Sequence, residues 1–204
     1  MTLINSSAVN VDAQIDLYAD SGSPMTMTLA FQPSASIITA SSFRLTLSPN
    51  ESIVVETEPS GSSVAAGWAD VQASRALSGY SIFRFSLPGF PDSEGTAPLD
   101  SRLSSSVVMP YDNTNGRRTG LALANQASTP ATITAILFDQ NGDQLTSSQI
   151  DLPAFGHSSF FAEDRFPQAA NQLGIIQLQS TGNVTGVGLL FSQSGSFTSV
   201  PISR

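Results

Sequence analysis

Apolar and polar residues alternate with period two along most of the chain. Val11, Ala13, Ile15 and Leu17 alternate with Asp12, Gln14 and Asp16, and Ala131, Ile133, Ala135 and Leu137 alternate with Thr132, Thr134 and Ile136. Side chains of a strand point to opposite faces in turn, so this period predicts half-buried strands. The first run ends at Asp20-Ser21-Gly22-Ser23 and the second at Asp139-Gln140-Asn141-Gly142-Asp143. Asn-Gly suits a tight hairpin because both residues tolerate positive φ. Residues 3–22 recur as residues 123–142 without a gap, placing Leu3 on Leu123, Asn5 on Asn125, Tyr18 on Phe138 and Gly22 on Gly142.

A second stretch also recurs. Residues 67–83 match residues 174–190, with Gly67 on Gly174, Gln72 on Gln179, Gly79 on Gly186, Val71 on Leu178 and Leu77 on Val184. Each copy reads as strand, short turn and strand, which predicts a hairpin. A third block, residues 47–55, matches residues 152–160. The first copy carries an insertion near residues 27–43 that predicts one extra strand and a longer loop. Residues 162–171 predict at most one short helical turn, because Pro167 interrupts them. Residues 105–111 predict a strand ahead of the second copy, with no equivalent ahead of the first.

About six or seven short strands per copy, with frequent turns, predict an all-β chain of two tandem antiparallel β-sandwich (Ig-like) repeats. The expected boundaries are repeat 1 at residues 1–87, a Pro/Gly linker at 88–101 and repeat 2 at 102–204. The prolines and glycines from Pro88 to Pro98 predict no regular structure there.

Composition narrows the function classes. The net charge is −8 and every cation is Arg, so nucleic acid and anionic membrane surfaces are poor partners. Charged residues are 12% of the chain. Without Cys there is no disulfide, thiolate metal site or cysteine nucleophile. No apolar run reaches the ~18 residues of a membrane-spanning helix. The first residues lack the basic and long apolar stretches of a secretory leader, so a leader for export would lie upstream.

Pro91-Asp92-Ser93-Glu94-Gly95, Pro110 to Gly116, Thr119 to Asn125, Leu152 to His157 and Phe160-Phe161 resemble a tandem β-sandwich repeat of long secreted and surface proteins of bacteria. The resemblance covers nearly the whole chain and is best from Gly67 onward. It implies an extracellular or cell-surface accessory or adhesive module, with no catalytic or ligand residues to carry over.

Each candidate site has a plainer competitor. Asp139 to Asp143 has oxygens at the first, third and fifth places of a calcium loop, but Gln144 and Ile150 stand where such a loop needs Gly and Glu; the hairpin reading is favoured. The loop from Asp112 to Gly116 is oxygen-rich, and a solvated turn is favoured over a cation site. His157, the sole histidine, reads as a turn or edge residue rather than a base or ligand. No serine lies in a nucleophile elbow; Gly61-Ser62 and Gly195-Ser196 read as loop. Glu56, Glu58, Asp70, Glu94 and Glu163 have no context that pairs them for glycoside chemistry, and Glu56 and Glu58 read as a solvated face or as edge protection. Trp68, Tyr80, Tyr18 and Tyr111 offer a sugar-stacking platform, but Trp68 and Tyr80 match the apolar Ile175 and Val187, which predicts core. Asn5, Asn50 and Asn183 fit the glycosylation acceptor pattern, relevant in a eukaryotic host alone.

The expected function is non-enzymatic: a structural or adhesive module, with no catalytic, cofactor-binding or metal residues and no cofactor. The alternative is a carbohydrate-binding accessory module with a glycan partner. The edge near Leu3 to Ala8 is expected to contact another protein chain, unless an upstream segment, the chain's own residues 197–202 or the insertion covers it.

Overall fold

The computed structural model describes residues 1–58, 66–85, 92–100, 104–200 and 202–203. It is nearly all β, built from antiparallel sheets in a sandwich-like architecture. The chain divides into two units, Met1–Ser81 and Ile82–Arg204.

The first unit contains β1 (Thr2–Ile4), β2 (Val11–Ala19), β3 (Met27–Gln32), β4 (Ile37–Ala40), β5 (Ser42–Leu47), β6 (Ser52–Thr57), β7 (Gly67–Ala73) and the first half of β8 (Ser78–Phe85). One sheet runs β4-β3-β6-β1-β8 and the other β5-β2-β7. Leu3, Val11, Ala13, Ile15, Leu29, Phe31, Phe43, Leu47 and Val55 are buried, and Phe31 of one sheet meets Phe43 of the other edge-on at 5.4 Å between ring centres.

The second unit contains the remainder of β8, then β9 (Ser93–Pro98), β10 (Ser106–Asp112), β11 (Arg118–Asn125), β12 (Ala131–Asp139), β13 (Gln144–Leu152), β14 (His157–Phe161), a turn of helix α1 (Ala162–Arg165), a 3-10 turn (Pro167–Ala169), β15 (Leu173–Ser180), β16 (Val184–Phe191) and β17 (Phe197–Val200). β9 lies beside β8. The two four-stranded sheets run β10-β15-β12-β13 and β14-β11-β16-β17, and one apolar cluster draws on both, from Met109, Ile133, Leu137 and Leu178 to Leu121, Leu123 and Val184. The residues expected to form one helical turn form two short ones, because Pro167 opens the 3-10 turn rather than ending the helix.

The same pairing scheme serves both units. β2 pairs with β5 and β7 as β12 pairs with β13 and β15, and β1 pairs with β6 and β8 as β11 pairs with β14 and β16. The matched glycines have a common cause. A Cβ on Gly67 or Gly174 would fall within 3.0 Å of the Tyr18 or Phe138 carbonyl oxygen, and one on Gly79 or Gly186 within 3.0 Å of the Thr2 or Ala122 carbonyl oxygen. Strand backbones approach too closely there for any other residue. Asn50 and Phe155 occupy the same turn position with φ of 59° and 55°.

Four sequence expectations are corrected. Residues 67–83 and 174–190 are not hairpins: β7 and β8 belong to different sheets, and so do β15 and β16. The tight turns that join paired strands need positive φ, and no residue from Ser74 to Leu77 or from Thr181 to Asn183 adopts it. The short connections therefore cross from one sheet to the other. Second, the span 88–101 is not a structureless linker, and the units part inside β8 rather than at residue 87. Gly95 allows close approach, since its Cβ would meet the Phe197 ring at 2.7 Å, and Pro98 ends a strand at a sheet edge. Pro88, Gly89 and Pro91 lie outside the described residues. Third, the insertion forms two strands, β3 and β4, which extend the sheet beyond β6. Glu56 therefore lies on a strand flanked on both sides, and its role is a solvated face rather than edge protection. Fourth, β1 is no open edge: Leu3 pairs with Ile53 on one side and Gly79 on the other and is fully buried. The extra strand of the second unit, β10, pairs with β15 and not with β11, so the position without a counterpart lies beside β7. Residues 197–200 pair with β16 of their own unit.

Candidate functional site

The outer face of the sheet β5-β2-β7 gathers the most varied polar chemistry in the first unit. Ala13, Ile15 and Leu17 point inward, so alternation turns Asp12, Gln14, Asp16 and Tyr18 outward, and the register brings Arg44, Ser42, Trp68, Asp70 and Gln72 beside them. Gln14 ties the strands together: its amide nitrogen donates to Asp16 at 2.9 Å and Ser42 at 2.5 Å, and its oxygen accepts from Arg44 Nε at 2.7 Å. Gln72 donates to Asp70 at 2.9 Å. Asp16 and Asp70 stand directly opposite each other. Burial, and then these two carboxylates, hold the Tyr18 hydroxyl above its usual pKa.

Tyr18 and Trp68 stack at 5.4 Å between ring centres with 26° between planes. Rings packed face to face at that spacing shield one face of each and do not form the coplanar row that sugar stacking uses. Trp68 is half-buried on this outer face and Tyr80 is 37% exposed, so the core reading of both is corrected. Their match to Ile175 and Val187 holds, but Ile175 is itself exposed. In strand β7, Val71 and Trp68 are an odd number of residues apart and cannot share a face. Tyr111 is in the core, with burial raising its hydroxyl pKa and Asp139 adding to the shift.

A cleft of about 380 Å3 opens under the β3–β4 insertion, lined by Phe31, Pro33, Ile38, Phe43, Leu45 and Ile53. Gln32, Ser34, Ser36, Arg44 and Glu51 complete the lining, and the Glu51 carboxylate accepts the Ser48 amide at 2.6 Å.

The other candidates are engaged in the fold. In the 112–116 loop one Asp112 oxygen accepts the Thr114 amide and hydroxyl at 2.9 and 2.7 Å, and the other meets Arg117 at 3.1 Å. Burial pushes the Asp112 pKa up, but the Thr114 bonds and the Arg117 charge bring it below the usual value. Asn113 links the Ala169 carbonyl to the Thr119 amide. Asp139 caps its turn by accepting the Asn141 and Asp143 amides at 2.8 and 2.9 Å, and the bond from Asp143 is the chief reason its pKa is lowered. The hairpin reading of this loop stands, but Gly142 alone takes positive φ (86°), so the turn carries a glycine bulge rather than an Asn-Gly pair of positive φ. His157 opens the edge strand β14 opposite Ala124. Glu94 pairs with Arg84 at 2.8 Å, and Glu163 and Asp164 both pair with Arg118, which lies over the Phe161 ring. Among the described residues no three His, Cys, Asp or Glu side chains converge as a metal site would require. Gly61-Ser62 lies outside the described residues.

Asn5 and Asn125 were matched in sequence without a role, and they have one. Both are fully buried. The Asn5 amide donates to the carbonyls of Val9, Leu47 and Ser48 at 2.8–3.0 Å; the Asn125 amide donates to those of Thr129 and Pro153, both at 2.8 Å. Each side-chain oxygen accepts an amide two residues on, from Ser7 or Ala127. The sequence signal was a matched Asn closing an apolar strand. A buried Asn5 is no glycosylation acceptor.

No family model, curated protein or solved structure matches the chain. No helix among the described residues is long and apolar enough to cross a membrane.

Proposed function

We propose that the chain is a non-enzymatic, extracellular structural or adhesive module made of two tandem sandwich repeats. One observation carries the reading: most residues common to both halves act within the fold, the exposed pair Gln72 and Gln179 being the exception. Asn5 and Asn125 tie backbone segments together, Gly67 and Gly174 admit a neighbouring carbonyl, and Leu3 and Leu123 fill the core. The outer faces differ freely, as Tyr18 and Trp68 against Phe138 and Ile175 show. A duplicated frame with divergent surfaces suits a scaffold or adhesin. The weak acidic charge, the many Ser and Thr residues and the resemblance to secreted bacterial repeats support the extracellular setting.

The second reading, a carbohydrate-binding module, rests on the polar outer face of Asp16, Asp70, Gln14 and Gln72, with the half-buried Trp68 beside it offering one uncovered ring face rather than a row. A glycan array separates the two. The structural reading expects no glycan above background. A glycan bound by the chain and lost in Trp68→Ala would replace it with the carbohydrate reading.

A further inference from the structure

The two units build the same sheet with a difference of one strand. In the second unit β10 lies along β15, pairing Val107 with Leu178, Met109 with Ile176 and Tyr111 with Gly174, and the Ser180 amide continues the ladder to the Ser105 carbonyl at 2.7 Å. Val107, Met109 and Tyr111 point inward and are at most 3% exposed. Pro110 falls where an N–H would face away from β15, so the ladder tolerates it.

β7 takes the place of β15 in the first unit. The Ser74 amide donates to the Asp12 carbonyl at 2.8 Å. Hydrogen bonding in an antiparallel pair alternates, so Trp68, Asp70 and Gln72 turn their backbone groups toward β2, and Ala69, Val71 and Ala73 turn theirs to the outer edge. Among the described residues no strand pairs with that edge. Ala69 and Ala73 are exposed and Val71 is half-buried, whereas Ile176 and Leu178, at the places of Ala69 and Val71, are fully buried.

We infer that the outer edge of β7 receives an extended strand of another polypeptide, antiparallel to β7, with large apolar side chains at three alternate positions. Unpaired edge groups template such an addition, with pockets for alternate side chains giving specificity. A second copy of β7 is a poorer occupant. It would turn Ala69, Val71 and Ala73 inward where β10 supplies Val, Met and Tyr, and it would add a second Asp70 to the same outer face. Asp70 and Asp16 instead favour a basic residue on the incoming strand, at the place that Val108 holds opposite Gln177. A chain of net charge −8 attracts a basic partner at longer range as well. The inference stands on strand pairing and is independent of the extracellular reading.

The test uses the full chain and a synthetic peptide of residues 105–112 carrying Val108→Lys. Amide exchange at Ala69, Val71 and Ala73 should slow about ten-fold when the peptide stands ten-fold above its Kd. A control peptide with Val107, Met109 and Tyr111 all changed to Ser should not slow it. Ala69→Pro removes an N–H that no strand among the described residues bonds, so it should keep the urea midpoint and lose the peptide. No slowing at about 1 mM peptide, or equal slowing by the control, overturns the inference whatever the variant does. Slowing that grows with protein concentration in the absence of peptide would assign the edge to a second copy and overturns it too.

Discussion

β7 and β15 occupy the same place in their sheets, and their environments differ. Leu178 on β15 is fully buried; Val71, which matches it in sequence and in pairing, is half-buried. Both pair on one side with the same kind of strand, β12 or β2. The difference is β10, which closes the other side of β15 with Val107, Met109 and Tyr111. Burial of a strand residue is thus set as much by a neighbour distant in sequence as by its own pattern. The core of the second unit is closed along an edge that the first leaves open among the described residues.

This contrast gives graded expectations. Leu178→Ala should cost ~2–5 kcal/mol in urea unfolding, as large-to-small changes at fully buried sites do. Val71→Ala should cost under ~1 kcal/mol, because less apolar area leaves water on folding there; equal losses would break the comparison. Asn5→Ala and Asn125→Ala test what the units share. Each strands buried carbonyls, and each should lower stability by ~1–3 kcal/mol, to a similar extent; a neutral result at either would remove that corner as a common support. Gly67→Ala and Gly174→Ala force a Cβ against a neighbouring backbone and should each cost ~1–3 kcal/mol by thermal melting. The smallest effect belongs to the Asp139 turn. Its folded pKa lies below the ordinary 3.8, so its contribution is present above that pH and fades as pH falls through the folded value. Ala19 holds the matching place in the first unit and has no carboxylate. Asp139→Asn should therefore lower the urea midpoint slightly at pH 6 and by less as the pH falls through the folded value; a larger loss in acid would reverse the assigned sign.

The sequence carried the fold class through its period-two runs, and it carried the matched positions of the two halves. Residues 11–17 and 131–137 formed strands with the expected faces inward. Partner choice was less legible. A short turn between two alternating runs fits a hairpin or a crossing between sheets equally well, and turn φ values decide that after folding. Gly95 and Pro98 resembled linker punctuation because a close approach to Phe197 leaves no local mark. Among the site candidates the aromatics were visible as residue types, but their faces were misassigned where parity from Val71 would have turned Trp68 outward. The open edge was foreseen as a missing strand and placed on β1, since sequence order puts residues 105–111 next to β11 while the sheet puts them next to β15.

Native-state amide exchange on the isolated chain at high dilution tests the account most directly. The amides of Ile176, Leu178 and Ser180 should exchange slowly, and those of Ala69, Val71 and Ala73 should exchange much faster, because β10 bonds the first set and no strand among the described residues bonds the second. Equally slow exchange of the two sets would mean that β7 is already paired within one chain. The contrast between the units would then be gone, and with it the docking edge.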